Sequence, residues 1–221
     1  MQIYSPANPG PDLQDKISRG LGVAARKIGA PAHAYRPRGV NNPIAPANRF
    51  LRLQAAFSAP DGQFAKPSSY GNPLWHGVFD SAYTKPGDYI LQNGSVWFIA
   101  AQQSLLPVLC VQTNRVISIA RPAAPNATGV NGYGGVRLTE ANPLIADWPA
   151  SVLGLGSGGQ PTAGLPADST VALWTVLLPA VHGVTLREAD LLRDDLGRTA
   201  IISAAELSDL GWRLTVKQAT T

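Results

Sequence analysis

The sequence predicts a mainly β protein: an antiparallel β-sandwich or barrel with a duplicated hairpin unit, one N-terminal α-helix and long loops. Three observations carry that expectation. Charged residues make up only 14% of the 221 positions, while there are 22 glycines and 19 prolines, a composition of short strands and turns rather than of a helical protein. Apolar runs alternate or run on for four to eight residues between Gly and Asn. A strand–turn–strand–strand pattern at Gly87–Val111 also returns in paler form at Asp190–Val216.

The first element is the exception to the β pattern. From Pro11 to Ile28, the residues Leu13, Ile17, Leu21, Ala24 and Ile28 recur at helical spacing, with Gly29 just past the end. Asp12 and Asp15 suit the positive N-terminus of the helix dipole, and Arg26 and Lys27 its negative end, at about 0.5 kcal/mol each. Gly20 and Gly22 oppose the helix by about 1 kcal/mol each. Together with Ala24 and Ala25, however, they let another backbone approach closely, whether of this chain or of another.

The next stretch, Ala30 to Pro60, is rich in proline, which fixes extended or turn geometry and prevents a long helix. It reads as an extended arm, with Phe50–Phe57 as a first strand. After it, LWHGVFD, GDYIL, SVWFIAA and VLCVQTNRVISIA describe an antiparallel meander, and Asn93-Gly94 is the strongest turn signal in the chain. Residues 121–168 become irregular, and STVALWTVLLPA and GVTL resume strand character before the closing hairpin. The expected division is therefore a helix and basic arm over 1–58, a first β unit over 59–120, a loop-rich connection over 121–168, and a second β unit over 169–221 packed on the first.

In the two hairpins Asp88 matches Asp190, Gly94 matches Gly197, Ile99 matches Ile202, Ala101 matches Ala204 and Leu106 matches Leu210. The drift in spacing requires two one-residue insertions. Neither unit alone buries enough to stand; together they form the faces of a sandwich or barrel.

Chemical motifs are sparse. The lone Cys110, inside PVLCV, excludes an internal disulfide and a CxxC site. His33, His76 and His182 stand far apart and match no metal-ligand spacing, so no metal is expected. His76 and Asp80 share a strand face without a nucleophile motif beside them. GLGSGGQ at 154–160 lacks the GK[ST] ending of a phosphate loop, and NGYGG at 131–135 is no better. Asp194-Asp195 fits a turn, and Trp75, Trp97, Trp148, Trp174 and Trp212 lie mostly in apolar runs that suit core packing. No catalytic residue, cofactor or metal site is expected. MQIYSPANPG lacks the features of a signal peptide, and no run of eighteen apolar residues exists, so a soluble protein made in the cytosol is expected.

Charge is distributed unevenly. The chain carries +4 in all, yet the first 58 residues hold Lys16, Arg19, Arg26, Lys27, Arg36, Arg38, Arg49 and Arg52 against only Asp12 and Asp15, leaving the remainder acidic. No nucleic-acid-binding signature accompanies these arginines, although Tyr35 and Phe50 among them keep single-stranded nucleic acid conceivable. Arg-rich arms also grip acidic neighbours through bidentate carboxylate pairs. Arg19, Arg26, Lys27, Tyr35, Arg36, Arg38 and Arg49 are thus the candidate assembly contacts.

The segments GVAARKIGAPAHAYRPRG, PANRFLRLQAAFSAP, WHGVFDSAYTKPGDYIL and WFIAAQQSLLPVLCVQTNR resemble a group of uncharacterised tail and baseplate-region structural proteins of proteobacterial phages and prophages. The resemblance covers roughly residues 18 to 120 and rests on Tyr35-Arg36-Pro37, Gly87-Asp88-Tyr89 and the run from Ala100-Ala101-Gln102 to Leu106-Pro107. It implies a virion structural protein joining the tail tube to the central hub, made in the bacterial cytoplasm, forming a homo-oligomeric ring and meeting other tail or baseplate proteins. A head-to-tail connector is the alternative. A tail-borne carbohydrate-active or cell-wall enzyme would need a carboxylate pair, for which Asp80, Asp88 and Glu140 are the available donors.

Overall fold

The computed structural model describes residues 11–59, 73–103, 105–122, 141–154 and 172–218. Among these, one helix and twelve strands form two closed six-stranded antiparallel barrels. Closure leaves no free strand edge to recruit foreign backbone. The chain divides into two compact units, one of residues 1–37 and 44–112, the other of residues 38–43 and 113–221.

In the first unit, α1 (Pro11–Ile28) precedes β1 (Ala30–Tyr35), β2 (Arg49–Ser58), β3 (Leu74–Val78), β4 (Tyr89–Gln92), β5 (Ser95–Ala101) and β6 (Val108–Gln112), closed in the order β1-β2-β3-β6-β5-β4. Small and large side chains share the interior. Ala32, Ala34 and Ala55 are fully buried beside Phe79, Ile90, Ile99, Val108 and Cys110, and Phe57 stacks on Trp97 at 4.0 Å between centroids. Gly77 makes room in the same way, since a Cβ there would stand 2.5 Å from the Phe79 ring and 2.9 Å from Cys110 Sγ. Asn93 and Gly94, both at positive φ (49° and 81°), make the expected two-residue turn between β4 and β5.

The helix spans the expected residues, but it does not bury the expected face. Ser18, Gly22 and Ala25 are buried, whereas Leu13 and Ile28 are 45% and 70% exposed. Close approach explains the rotation. A Cβ on Gly22 would lie 3.0 Å from Asp80 Cβ, one on Gly29 would run into the Ala55 carbonyl oxygen, and Ser18 Oγ meets Ser81 Oγ at 3.1 Å. The small-residue stripe therefore seats the helix against β2, β3 and the 3₁₀ turn Ser81–Tyr83. Gly20, by contrast, has nothing near it.

The second unit contains β7 (Arg115–Arg121), β8 (Asn142–Gly154), β9 (Leu173–Leu178), β10 (Leu191–Asp194), β11 (Thr199–Ser208) and β12 (Gly211–Gln218), closed as β7-β8-β9-β12-β11-β10. Ile117, Ile119, Ile145, Trp148, Val176, Leu178, Ile202, Leu214 and Val216 are buried in it. Burial of each such side chain is worth about 1.5–3 kcal/mol. Residues 38–43 belong here: the Val40 carbonyl accepts the Trp148 indole N–H at 2.7 Å and the Ala146 N–H at 2.9 Å.

Strand for strand, β7 to β12 repeat the connectivity of β1 to β6. The duplication seen in the sequence as a hairpin thus extends over the whole barrel, and even a bulge recurs, between Ile99 and Ala101 in β5 and between Ile202 and Ala204 in β11. This moves the expected boundaries. Residues 30–58 are not a free arm but supply β1 and β2 of the first barrel, because Ala, Leu and Phe at alternate positions complete its wall. Likewise β8 falls wholly inside the stretch read as a loop-rich connection over 121–168, and β7, expected as a strand of the first unit, opens the second.

Candidate functional site

Among the described residues one closely bonded Arg–Asp group occurs twice. Asp88 is fully buried ahead of β4, where Arg36, one residue beyond β1, donates from Nε to Oδ1 at 2.9 Å and from Nη2 to Oδ2 at 2.7 Å. The same Nη2 donates to the Tyr83 carbonyl at 3.0 Å, and the Lys85 N–H donates to Oδ2 at 2.9 Å.

In the second barrel Asp190 stands ahead of β10 and Arg121 closes β7. Arg121 Nε donates to Oδ1 at 2.8 Å and Nη2 to Oδ2 at 2.9 Å; Nη2 also reaches the Thr185 carbonyl at 2.8 Å, and the Arg187 N–H reaches Oδ2 at 2.8 Å. Every hydrogen bond of one lock has its counterpart in the other. The residue before each aspartate is left-handed, Gly87 at φ 91° and Ala189 at φ 67°. Each barrel also clasps this turn to its fifth strand, through Gly87 N–H to Ile99 O and Ile99 N–H to Asp88 O, or Ala189 N–H to Ile202 O and Ile202 N–H to Asp190 O.

The hydrogen bond to its aspartate holds each guanidinium above its ordinary pKa against the opposing effect of burial, with the charge of the carboxylate adding to the rise. A rigid fork that satisfies a carboxylate and a backbone carbonyl together is a task for arginine, not lysine. It ties the end of the first strand of each barrel to the turn before the fourth. Arg36 also lies 4.5 Å over the Phe50 ring. A third pair, Arg198–Asp194 at 2.6 Å, belongs to the second barrel alone.

These contacts settle where several sequence candidates stand. Tyr35 is buried and Arg36 is engaged on Asp88, so both are consumed inside the first barrel. Arg19, Arg26 and Lys27 are exposed on α1, and Arg38 and Arg49 are exposed as well. Asp80 caps the 3₁₀ turn by accepting the Ala82 N–H at 3.1 Å, and Asp88 is saturated by its lock. Glu140, NGYGG and all but the first residue of GLGSGGQ lie outside the described residues.

Burial raises the Cys110 thiol far above its ordinary pKa, which keeps it protonated. Among the described residues no group of three or more His, Cys, Asp or Glu side chains is placed to hold a metal ion, and no helix is long and apolar enough to cross a membrane.

The described surface also exposes large apolar side chains. Leu105 and Leu106, in the turn after β5, are about half exposed, and so are Leu207 and Leu210 at the tip of the β11–β12 hairpin. Sequence reading had matched Leu106 with Leu210, but had not noted that both barrels expose leucines at this corresponding turn. It also missed Arg121, whose signal was an Ala-Arg or Tyr-Arg step at the end of the first strand of each repeat.

No protein-family model, no curated protein and no solved structure matches the chain.

Proposed function

We propose that this chain is a structural subunit of a bacteriophage virion, a tail or baseplate hub component that joins the tail tube to the central hub as a ring of like copies. The observation that carries this reading is the repeated barrel with its repeated Arg–Asp lock. The buried ionic groups of the described fold are committed to holding strands together, as suits a part that bears load rather than turns over substrate. Two barrels of one topology also give each copy two related surfaces, so a ring of copies offers twice that number of similar docking positions. The resemblance of residues 18 to 120 to phage tail and baseplate-region proteins supplies the biological setting.

The test is quantitative mass spectrometry of purified particles, with heads and tails separated. The reading expects the chain in the tail fraction at a few copies relative to the tube protein. Absence from the particle would overturn it.

A head-to-tail connector is the second reading, favoured by the exposed cations Arg38, Arg49 and Arg52. That reading expects recovery with heads and DNA binding that weakens steeply with salt and is lost on replacing Arg38 and Arg49.

A further inference from the structure

The two barrels differ in one respect that bears on assembly. In the first, the turn after β5 is met by the helix: Gln14 Oε1 accepts the Leu105 N–H at 3.3 Å, with Leu105 held at φ 67°. The helix passes into β1 through Gly29, packed on the Ala55 carbonyl. In the second barrel Asn114 takes the place of Gly29, donating its N–H to the carbonyl of Ala150, the counterpart of Ala55, at 3.0 Å. Only Thr113 and Asn114 separate β6 from β7, so no helix precedes this barrel. Its β11–β12 hairpin, paired from Ala200 with Gln218 to Ser208 with Gly211, ends in Leu207, Asp209 and Leu210, all exposed.

The helix, for its part, buries the stripe of Ser18, Gly22 and Ala25 and leaves a second flank of Leu13, Ile17, Leu21 and Ile28 only partly covered. We propose that the β11–β12 tip of one copy docks on this flank of α1 in a second copy. The turn-to-helix contact that the first barrel makes within its chain is then reproduced between chains by the second.

Charge agrees with this occupant. Arg19, Arg26 and Lys27 are exposed on the helix, and Asp209 is exposed at the tip beyond Glu206, which is itself paired with Arg213 at 2.8 Å. The two surfaces differ, so the contact is heterologous and passes from copy to copy, closing into a ring where the rotation allows. The inference deepens the ring reading above and rests on its self-association, not on the virion setting.

Disulfide trapping in the full chain tests it. Cys110 is buried and stays silent, so introduced cysteines report alone. Reduced Leu13→Cys and Leu210→Cys proteins are oxidised each alone and after mixing. The expected result is a cross-linked dimer several-fold more abundant in the mixture than in either protein alone. In parallel, Leu207→Asp with Leu210→Asp is compared with wild type by sedimentation equilibrium, with circular dichroism showing both folded; a loss of association of at least about tenfold is expected. Wild type that associates while the double variant associates equally well overturns this interface and leaves the ring reading standing. Wild type that stays monomeric to about 100 µM overturns both.

Discussion

The repeated lock makes a quantitative demand that treats the two barrels alike. Replacing Arg36 by Met leaves Asp88, fully buried, with the Lys85 N–H as its remaining hydrogen-bond donor, and leaves the Tyr83 carbonyl short of a partner. Breaking a fully buried ion pair from one side costs about 3–5 kcal/mol. Arg36 is 36% exposed, so water takes over part of its role, and about 2–3 kcal/mol is expected.

Arg121→Met exposes Asp190 to the same loss, since Arg121 is 33% exposed and its bonds correspond one for one. In urea, with a slope of about 2 kcal/mol per molar, each variant moves the unfolding midpoint of its barrel down by about 1 M, read by tryptophan fluorescence. Arg36→Lys recovers little, because an ammonium cannot reproduce the fork. Arg213→Met, at the exposed pair with Glu206, is the control and costs under about 0.5 kcal/mol. A loss below about 0.5 kcal/mol for Arg36→Met or Arg121→Met, or a large effect in one barrel and none in the other, would refute the reasoning.

Three further outcomes follow from the same geometry. Gly29→Ala, whose Cβ would collide with the Ala55 carbonyl oxygen and stand 2.6 Å from that of Ala25, destabilises by about 2 kcal/mol, whereas Gly20→Ala, with open space around it, stabilises by about 0.5–1 kcal/mol; chemical denaturation measures both. Ala189→Gly relieves a left-handed alanine and gains about 0.5–1 kcal/mol, while Gly87→Ala at the matching position loses about 1 kcal/mol, read as opposite shifts of the midpoint. For Asp194, burial acts to raise the pKa, but hydrogen bonds from the Arg198 side chain and backbone and from the Leu196 N–H prevail and hold it below the ordinary value. A depressed carboxylate stabilises above its unfolded pKa. The advantage of wild type over Asp194→Asn is therefore full above the unfolded carboxylate value of about 4 and fades as the pH falls through the lower folded value, in denaturation curves taken across acidic pH.

The sequence disclosed those features that depend on local pattern. The helix limits, the Asn93-Gly94 turn and the match of Asp88 with Asp190 follow from periodicity, turn chemistry and spacing. Two strands were hidden, β1 and β8, because their matching depends on pairing across the barrel and not on near neighbours; β2 and β7 were legible as apolar runs. Pro31 lies within β1, where it reads as a strand breaker until closure supplies its context. The helix face was misjudged for a related reason: periodicity weighs large apolar side chains, while this helix is seated by Ser18, Gly22 and Ala25, where smallness decides. Arg36 was read as an assembly contact of the basic segment and as part of Tyr35-Arg36-Pro37, not as the partner of Asp88. Its partner lies 52 positions away, a distance that no local motif bridges.

The most direct test of the account is an electron cryomicroscopy map of the separated tail fraction at the position of this chain. The account predicts a closed ring in which every copy contributes two six-stranded barrels, with the β11–β12 tip of each copy resting on the α1 helix of the next. A particle without this chain, or one that holds it as an isolated copy outside any ring, would contradict it.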